Sequence, residues 1–136
     1  MPLDPSALVA APELVLALLE QSTVLECGGD RVLFRQGETA NGLYILQSGE
    51  VTLSMESPAG NPILSIQASM GSLLGLPAIV AGHPYSLTAV AQAGAQVGFV
   101  ARDRFTGFMQ DCPDMAFKII QVLAAEVSAA HRAIAA

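Results

Sequence analysis

Residues 37–55 constrain the fold most. Gly37-Glu38 is followed by Gly42-Leu43-Tyr44-Ile45-Leu46 and then by Ser48-Gly49-Glu50-Val51. Past Gly49, Val51, Leu53 and Met55 alternate with Thr52, Ser54 and Glu56. A period of two places successive side chains on opposite faces of a strand, so one face is apolar and the other polar. Two such segments around a Gly turn predict a half-buried antiparallel hairpin. The same texture runs from Val24 to about Phe99. Candidate strands are Val24–Cys27, Arg31–Phe34, Leu43–Gln47, Val51–Glu56, Ile63–Gln67, Ser86–Ala91 and Gln96–Val100. Turns are expected at Gly28-Gly29-Asp30, Gly37, Asn41-Gly42, Ser48-Gly49, Pro58–Pro62 and Ala93-Gly94. Short strands so regularly spaced predict a sandwich, jelly roll or barrel.

Both ends read as helical. Ser6 is a candidate cap, Pro12 suits a first helical position, and Leu14, Leu18 and Leu19 form an apolar stripe. Arg102–Gln110 predicts a short helix, and Asp111 or Asp114 is expected to cap a long one from Pro113 to about Ile134. Along the long helix, Ala116, Ile120, Leu123, Val127, Ala130 and Ile134 repeat at alternating spacings of four and three, a heptad-type seam. Ile119 and Val122 make a second stripe suited to packing on the chain's own barrel. One helix with two apolar faces calls for two partners, so a homodimer through this helix is expected.

The chain has 136 residues, enough for one domain with a core. Only 13% are charged and 52% are hydrophobic, which points to surface covered by another chain. No apolar run approaches the roughly 20 residues that span a bilayer, and Met1-Pro2-Leu3-Asp4 lacks a basic leader. These features predict a cytoplasmic protein with no membrane partner. Net charge is −6 and the six basic residues are scattered, which disfavours direct nucleic-acid binding. Cys27 and Cys112 are isolated and read as reduced thiols, so no metal site is expected.

The order of elements resembles the cyclic nucleotide-binding domain, and more narrowly the sensor half of the cAMP receptor protein/FNR family of transcription regulators. The resemblance rests on Gly37-Glu38, Leu43-Tyr44-Ile45 and Ser48-Gly49-Glu50-Val51, and on the segment Gly71–Ala89, similar to the family's phosphate-binding cassette. It implies a mainly β fold with flanking helices. A helical lead-in (1–22) would precede a β-roll, or double-stranded jelly roll (23–101), and C-terminal helices (102–134) would follow, with a short cassette helix inside the roll. It also implies a pocket at Gly71, Leu73, Leu74, Gly75, Leu76, Pro77, Ala78, Tyr85 and Ser86. In ligand-binding members an Arg forks onto the cyclic phosphate, and a Glu after the second Gly accepts from the ribose hydroxyl. Here Tyr85 stands for that Arg and Leu76 for that Glu, while Ser86 keeps a hydroxyl near the phosphate position. A buried charge left without its partner costs about 3–5 kcal/mol, at least a hundredfold in affinity at about 1.4 kcal/mol per tenfold. The departures imply that cAMP and cGMP are not bound in the usual way.

Alternatives remain open at several residues. Leu73, Leu74, Leu76 and Ile79 suit a hydrophobic effector or a filled core. Tyr85 reads as packing with its hydroxyl at the rim, or as a ligand contact. His83 reads as a solvated turn residue, or as a charge near an anion or a haem or metal ligand. Arg31 and Arg35 read as solvated charges, and His131 meets the negative end of its helix. No G-x-S-x-G, H-E-x-x-H or P-loop is present, so no enzyme and no cofactor are expected. A cupin-type enzyme would need more clustered ligands than His83 and His131 offer. Family regulators continue into a helix-turn-helix, and none follows Ile134. Three readings result: a sensing and dimerising module, a purely structural pairing domain with a filled pocket, or a truncated regulator.

Overall fold

The computed structural model describes residues 9–135, and side chains up to Ala125. Ser6 therefore lies outside the described residues, as do the side chains of Val127, Ala130, His131 and Ile134. Helix α1 (Pro12–Glu20) precedes β1 (Thr23–Glu26), β2 (Arg31–Phe34), β3 (Gly42–Ser48), β4 (Val51–Glu56), β5 (Pro62–Ala68) and β6 (Leu73–Leu74). Then come α2 (Leu76–Ala81), β7 (Thr88–Ala91), β8 (Gln96–Ala101), α3 (Arg102–Asp111) and α4 (Pro113–Ala135). The sheets are ordered β1-β8-β3-β6 and β2-β7-β4-β5. Every pairing is antiparallel, and β1 with β8, β2 with β7, β3 with β6 and β4 with β5 form a nested set. The chain is thus one long hairpin rolled into two facing sheets, a mainly β jelly roll with flanking helices.

The expected hairpin between β3 and β4 does not form. β3 pairs with β8 and β6, while β4 pairs with β5 and β7. The chain changes sheets at Gly49, where φ is 86°. A Cβ there would lie 2.6 Å from Ala95 Cα, so this corner tolerates only a bare backbone. Leu43 and Ile45 on one strand and Val51 and Leu53 on the other are all buried. Alternation identifies a buried face, and here the two segments use theirs from opposite sides of the roll. The hairpin belongs instead to β4 and β5, where Ser57 N–H donates to Asn61 O.

Three smaller differences have local causes. Leu73–Leu74 is a two-residue strand beside Tyr44 and Ile45, too short to show a period. β7 begins at Thr88 rather than Ser86. Neither Asp111 nor Asp114 caps the long helix. Asp111 ends α3 and Asp114 lies in the first turn of α4, while the Cys112 carbonyl accepts from Met115 and Ala116.

The helices cover the first sheet. Leu14 and Leu18 of α1 are buried, and Leu19 lies over β8 at Gly98, where a Cβ would meet its side chain at 2.9 Å. Pro12 is at the start of α1, where its missing N–H is no loss. Phe105 of α3 is buried, and so are Ile119 and Val122 of α4. Phe117 and Ile120, on the other side of α4, are each 59% exposed. Glu13 and Lys118 meet at 3.9 Å between α1 and α4, an exposed pair worth at most a few tenths of a kcal/mol.

Gly49→Ala is expected to cost roughly 2–3 kcal/mol, combining positive-φ strain with the Ala95 clash. Gly60→Ala, at a similar φ of 84° but with open space around it, is expected to cost only about 1 kcal/mol. Urea denaturation of the two variants measures the difference.

Candidate functional site

The loop after β2 and the end of the cassette clasp each other. Gly37 turns the chain at a φ of 88°, and Arg35 N–H donates to Glu38 Oε1 at 2.7 Å. Gly37 N–H then donates to Tyr85 O at 2.8 Å, and Tyr85 N–H donates to Glu38 O at 3.0 Å. Tyr85 is 4% exposed. Its ring stacks on Phe34, with centroids 4.0 Å apart and planes 16° apart. Its hydroxyl donates to Gly42 O at 2.6 Å and accepts from Gly42 N–H at 3.3 Å. Both requirements of a buried phenol are met: the ring is packed and the polar end is partnered.

The ring also covers the start of the cassette helix. Gly75 precedes α2 with φ 84°, and a Cβ there would lie 2.7 Å from Tyr85 Cε1. Glycine thus supplies both the left-handed turn and the space for the ring. Tyr44 extends the aromatic cluster. Its ring centroid is 5.6 Å from that of Phe34 and 5.0 Å from that of Phe99, and its hydroxyl donates to Leu33 O at 3.1 Å.

Beside this cluster lies a groove of about 520 Å³, within the size range of small-molecule sites. Leu33 and Phe34 line it from β2, Gly37, Glu38, Thr39 and Asn41 from the loop, and Tyr44 and Tyr85 complete it. Burial raises the Tyr44 hydroxyl above its ordinary value, with Tyr85 and Glu38 adding and Arg31 opposing. Burial likewise raises Tyr85, against the opposing backbone bonds of Gly42 and Asn41 and the charge of Arg102. Both phenols are neutral donors at physiological pH.

Of the residues expected to form a pocket, Tyr85 lines this groove. Leu73, Leu74, Leu76 and Ala78 are in the core, as is Ile79. Gly71 turns the chain at φ 87° ahead of β6, and its carbonyl accepts from Ala10 N–H. Gly75 caps α2, while Pro77 and Ser86 are exposed. His83 is an exposed turn residue whose Nδ1 donates to Pro84 O at 2.9 Å. Arg31 and Arg35 are exposed. Cys27 is buried and Cys112 half-buried, both free. Among the described residues no three His, Cys, Asp or Glu side chains cluster as metal ligands. No helix there is long and apolar enough to cross a membrane.

The lining residues not anticipated are Leu33, Phe34, Gly37, Glu38, Thr39, Asn41 and Tyr44. Glu38 and Tyr44 stand inside the diagnostic segment, but nothing in the linear order says that the loop folds onto Tyr85.

The family model of the cyclic nucleotide-binding domain matches residues 24–112. A curated relative, the CRP-like cAMP-activated global transcriptional regulator of Mycobacterium tuberculosis, is 24% identical over 113 residues, covering 83% of this chain and 50% of that protein. The chain thus spans about half the length of the curated relatives it matches. The catabolite activator protein of Thermus thermophilus superimposes with a TM-score of 0.79 at 22% identity, over 96% of this chain and 62% of that one. The sensor domain of the transcriptional regulator DNR from Pseudomonas aeruginosa superimposes with a TM-score of 0.67 at 23% identity, over 91% and 81%. At these identities the structural likeness establishes the fold.

The raised phenols predict an alkaline limit. Between the ordinary and the raised value the folded state holds more protons than the unfolded one, so stability falls as pH rises. Their contribution is complete below about pH 10 and disappears as pH passes through the raised values. Tyr85→Phe is expected to reduce this loss, and to cost about 1–2 kcal/mol at neutral pH through the Gly42 bonds. Thermal denaturation across alkaline pH checks both effects.

Proposed function

Because the chain belongs to the cyclic nucleotide-binding domain family, we propose that it is a small-molecule-sensing and dimerising module whose cassette does not take cAMP or cGMP in the usual manner. The observation carrying this reading is the placement of Tyr85. Its ring lies over Gly75 at the start of α2, where the family pattern puts an anion. Tyr85 itself stands where the resemblance implies the guanidinium, and Leu76, where it implies the Glu, is in the core. The curated relative is described as cAMP-activated; this chain keeps that frame without the two recognition side chains.

Sensing is supported by the groove beside Tyr85, the one cassette residue common to both features. Asn41 lines the groove, and its carbonyl accepts from Arg102 N–H, the first residue of α3, at 2.9 Å. A ligand that moves the loop therefore bears on α3 and, through it, on α4. Pairing is supported by Phe117 and Ile120, which leave apolar surface on α4 while Ile119 and Val122 face the body. Burying a large apolar side chain contributes about 1.5–3 kcal/mol, so a symmetric seam through Ala116, Ile120 and Leu123, continuing to Val127, Ala130 and Ile134, gains such terms from Ile120 and its neighbour Phe117, while Leu123 also packs against the body. In this reading the module acts in the cytoplasm and does not itself contact nucleic acid.

A second reading, a pairing domain that senses nothing, is favoured by the core positions of Leu73, Leu74, Leu76 and Ile79. Ligand-dependent change in the seam separates the two.

Isothermal titration with cAMP and with cGMP is expected to show no low-micromolar binding, and such an affinity would overturn the nucleotide half of the proposal. Sedimentation at micromolar concentration is expected to show a dimer that Ile120→Glu converts to monomer. A monomeric parent protein sinks the pairing half.

A further inference from the structure

We propose that the free edge of β5 pairs with the same edge of a second copy of this chain, antiparallel and about a two-fold axis at Ile66. This contact is separate from the α4 seam, since β5 belongs to the second sheet and the helices cover the first. Among the described residues the two sheets end on β1, β6, β2 and β5. Natural sheets blunt their edges with charge, bulges, proline or shortness, because unpaired N–H and C=O groups are a template for another strand. Three of these edges are blunted. β1 is four residues long and ends on exposed Glu26. β2 is four residues long, starts on exposed Arg31 and shifts register between Val32 and Phe34. β6 has two residues, and Val9 bridges to Ser72 beside it.

The fourth edge is open. β5 runs for seven residues, Pro62–Ala68, without a charged side chain. Its proline and its register shift, opposite Met55 and Glu56, both fall at the hairpin end, so Leu64–Ala68 pairs regularly. The ladder fixes which backbone groups are free. Gln92 N–H donates to Glu50 O at 2.9 Å, in the register that sets Val51 opposite Ala91 and Thr52 opposite Val90. Hydrogen-bonded and non-hydrogen-bonded pairs alternate along an antiparallel ladder. Thr52 and Ser54 therefore turn both backbone groups to β7. Val51 and Leu53 turn theirs to β5, onto Ala68 and Ile66. On β5 this leaves the N–H and C=O of Ser65 and Gln67 pointing outward, and both residues are exposed.

The polarity of the strand selects its occupant. Leu64-Ser65-Ile66-Gln67-Ala68 alternates apolar and polar identically in both directions. A two-fold axis at Ile66 sets Ser65 opposite Gln67 of the second copy. Each such pair exchanges both backbone groups, so two bonds form on each side of the axis. On the inner face the axis sets Ile66 opposite its own equivalent, and half-buried Leu64 opposite Ala68. Polar thus meets polar on one face and apolar meets apolar on the other. With no charged residue in β5, no like charges oppose each other. A self-complementary contact of this kind is complete with two copies, and it joins two four-stranded sheets edge to edge.

A contact this small needs concentrated protein. Sedimentation of the parent is expected to give a larger mass at about 1 mM than at about 10 μM. Over the same range, amide exchange read by NMR is expected to slow at least about twofold at Ser65 and Gln67. It is expected to stay unchanged at Ile66, whose N–H already faces β4. Ser65→Pro removes an outward N–H that β4 does not use, and Ser65→Lys adds a solvent-facing charge to the edge. Each is expected to abolish the rise in mass, and Ser65→Lys keeps the test valid if the proline variant fails to fold. Ile120→Glu is expected to lower the mass yet keep the rise, which separates this contact from the α4 seam. The proposal is overturned if the mass is the same at both concentrations, if it rises without slowing at Ser65 and Gln67, or if the rise persists in Ser65→Lys. It is also overturned if a Thr-Val-Thr-Val-Thr peptide slows those two amides when concentrated protein does not, which assigns the edge to a foreign strand.

Discussion

Tyr85 ties together segments that are far apart in the chain. Its ring stacks on Phe34, its hydroxyl holds Gly42 through both backbone groups, and its own backbone pairs with Gly37 and Glu38. The end of β2, the start of β3, the loop between them and the cassette are thereby fixed around one aromatic side chain. A phenol can do this because it has a large apolar body and a single polar end that needs a partner. The bare backbone of Gly75 makes room on one side, and Gly42 allows the Phe99 ring and the Val100 carbonyl to approach on another. The shape of the groove follows from this tie, since its walls are the residues that the tie holds.

The scaffold behind it is a nested hairpin, and nesting has a geometric cost at each change of sheet. Gly49 absorbs one of these corners by accepting a left-handed conformation within van der Waals contact of Ala95. Leu43, Ile45, Leu46, Val51, Leu53, Val97 and Val100 are all buried, on one face or the other of their sheets. Burial on this scale is what closes the roll. The helices seal its flank, and α4 divides its apolar residues between the body and the outside.

The family frame is present here, with Leu76 and Tyr85 at the positions where the family pattern implies a Glu and an Arg. Cassette glycines, a short helix and a following strand are all present. The Tyr85 ring lies over Gly75 at the start of α2, and Leu76 is in the core. A polar surface lines the groove at the adjoining loop. Glu38, Thr39 and Asn41 carry it, and Asn41 links it to the first residue of α3.

Residue order by itself determined which faces are apolar, where glycine must turn the chain, the two stripes of α4 and the Leu and Tyr at positions 76 and 85. Each of these is local, because strand and helix periods are set by backbone geometry within a few residues. Boundaries at Arg31–Phe34 and Val51–Glu56 were legible for that reason. Tertiary structure decided which strand pairs with which, and it separated β3 from β4 although they are neighbours in sequence. It also decided that Tyr85 turns onto Phe34 and Gly42, and so that a groove exists at all. Those contacts join residues more than 40 positions apart, such as Gly42 and Tyr85. Alternation marks a buried side but carries no information about its partner, so only closure of the roll could bring them together.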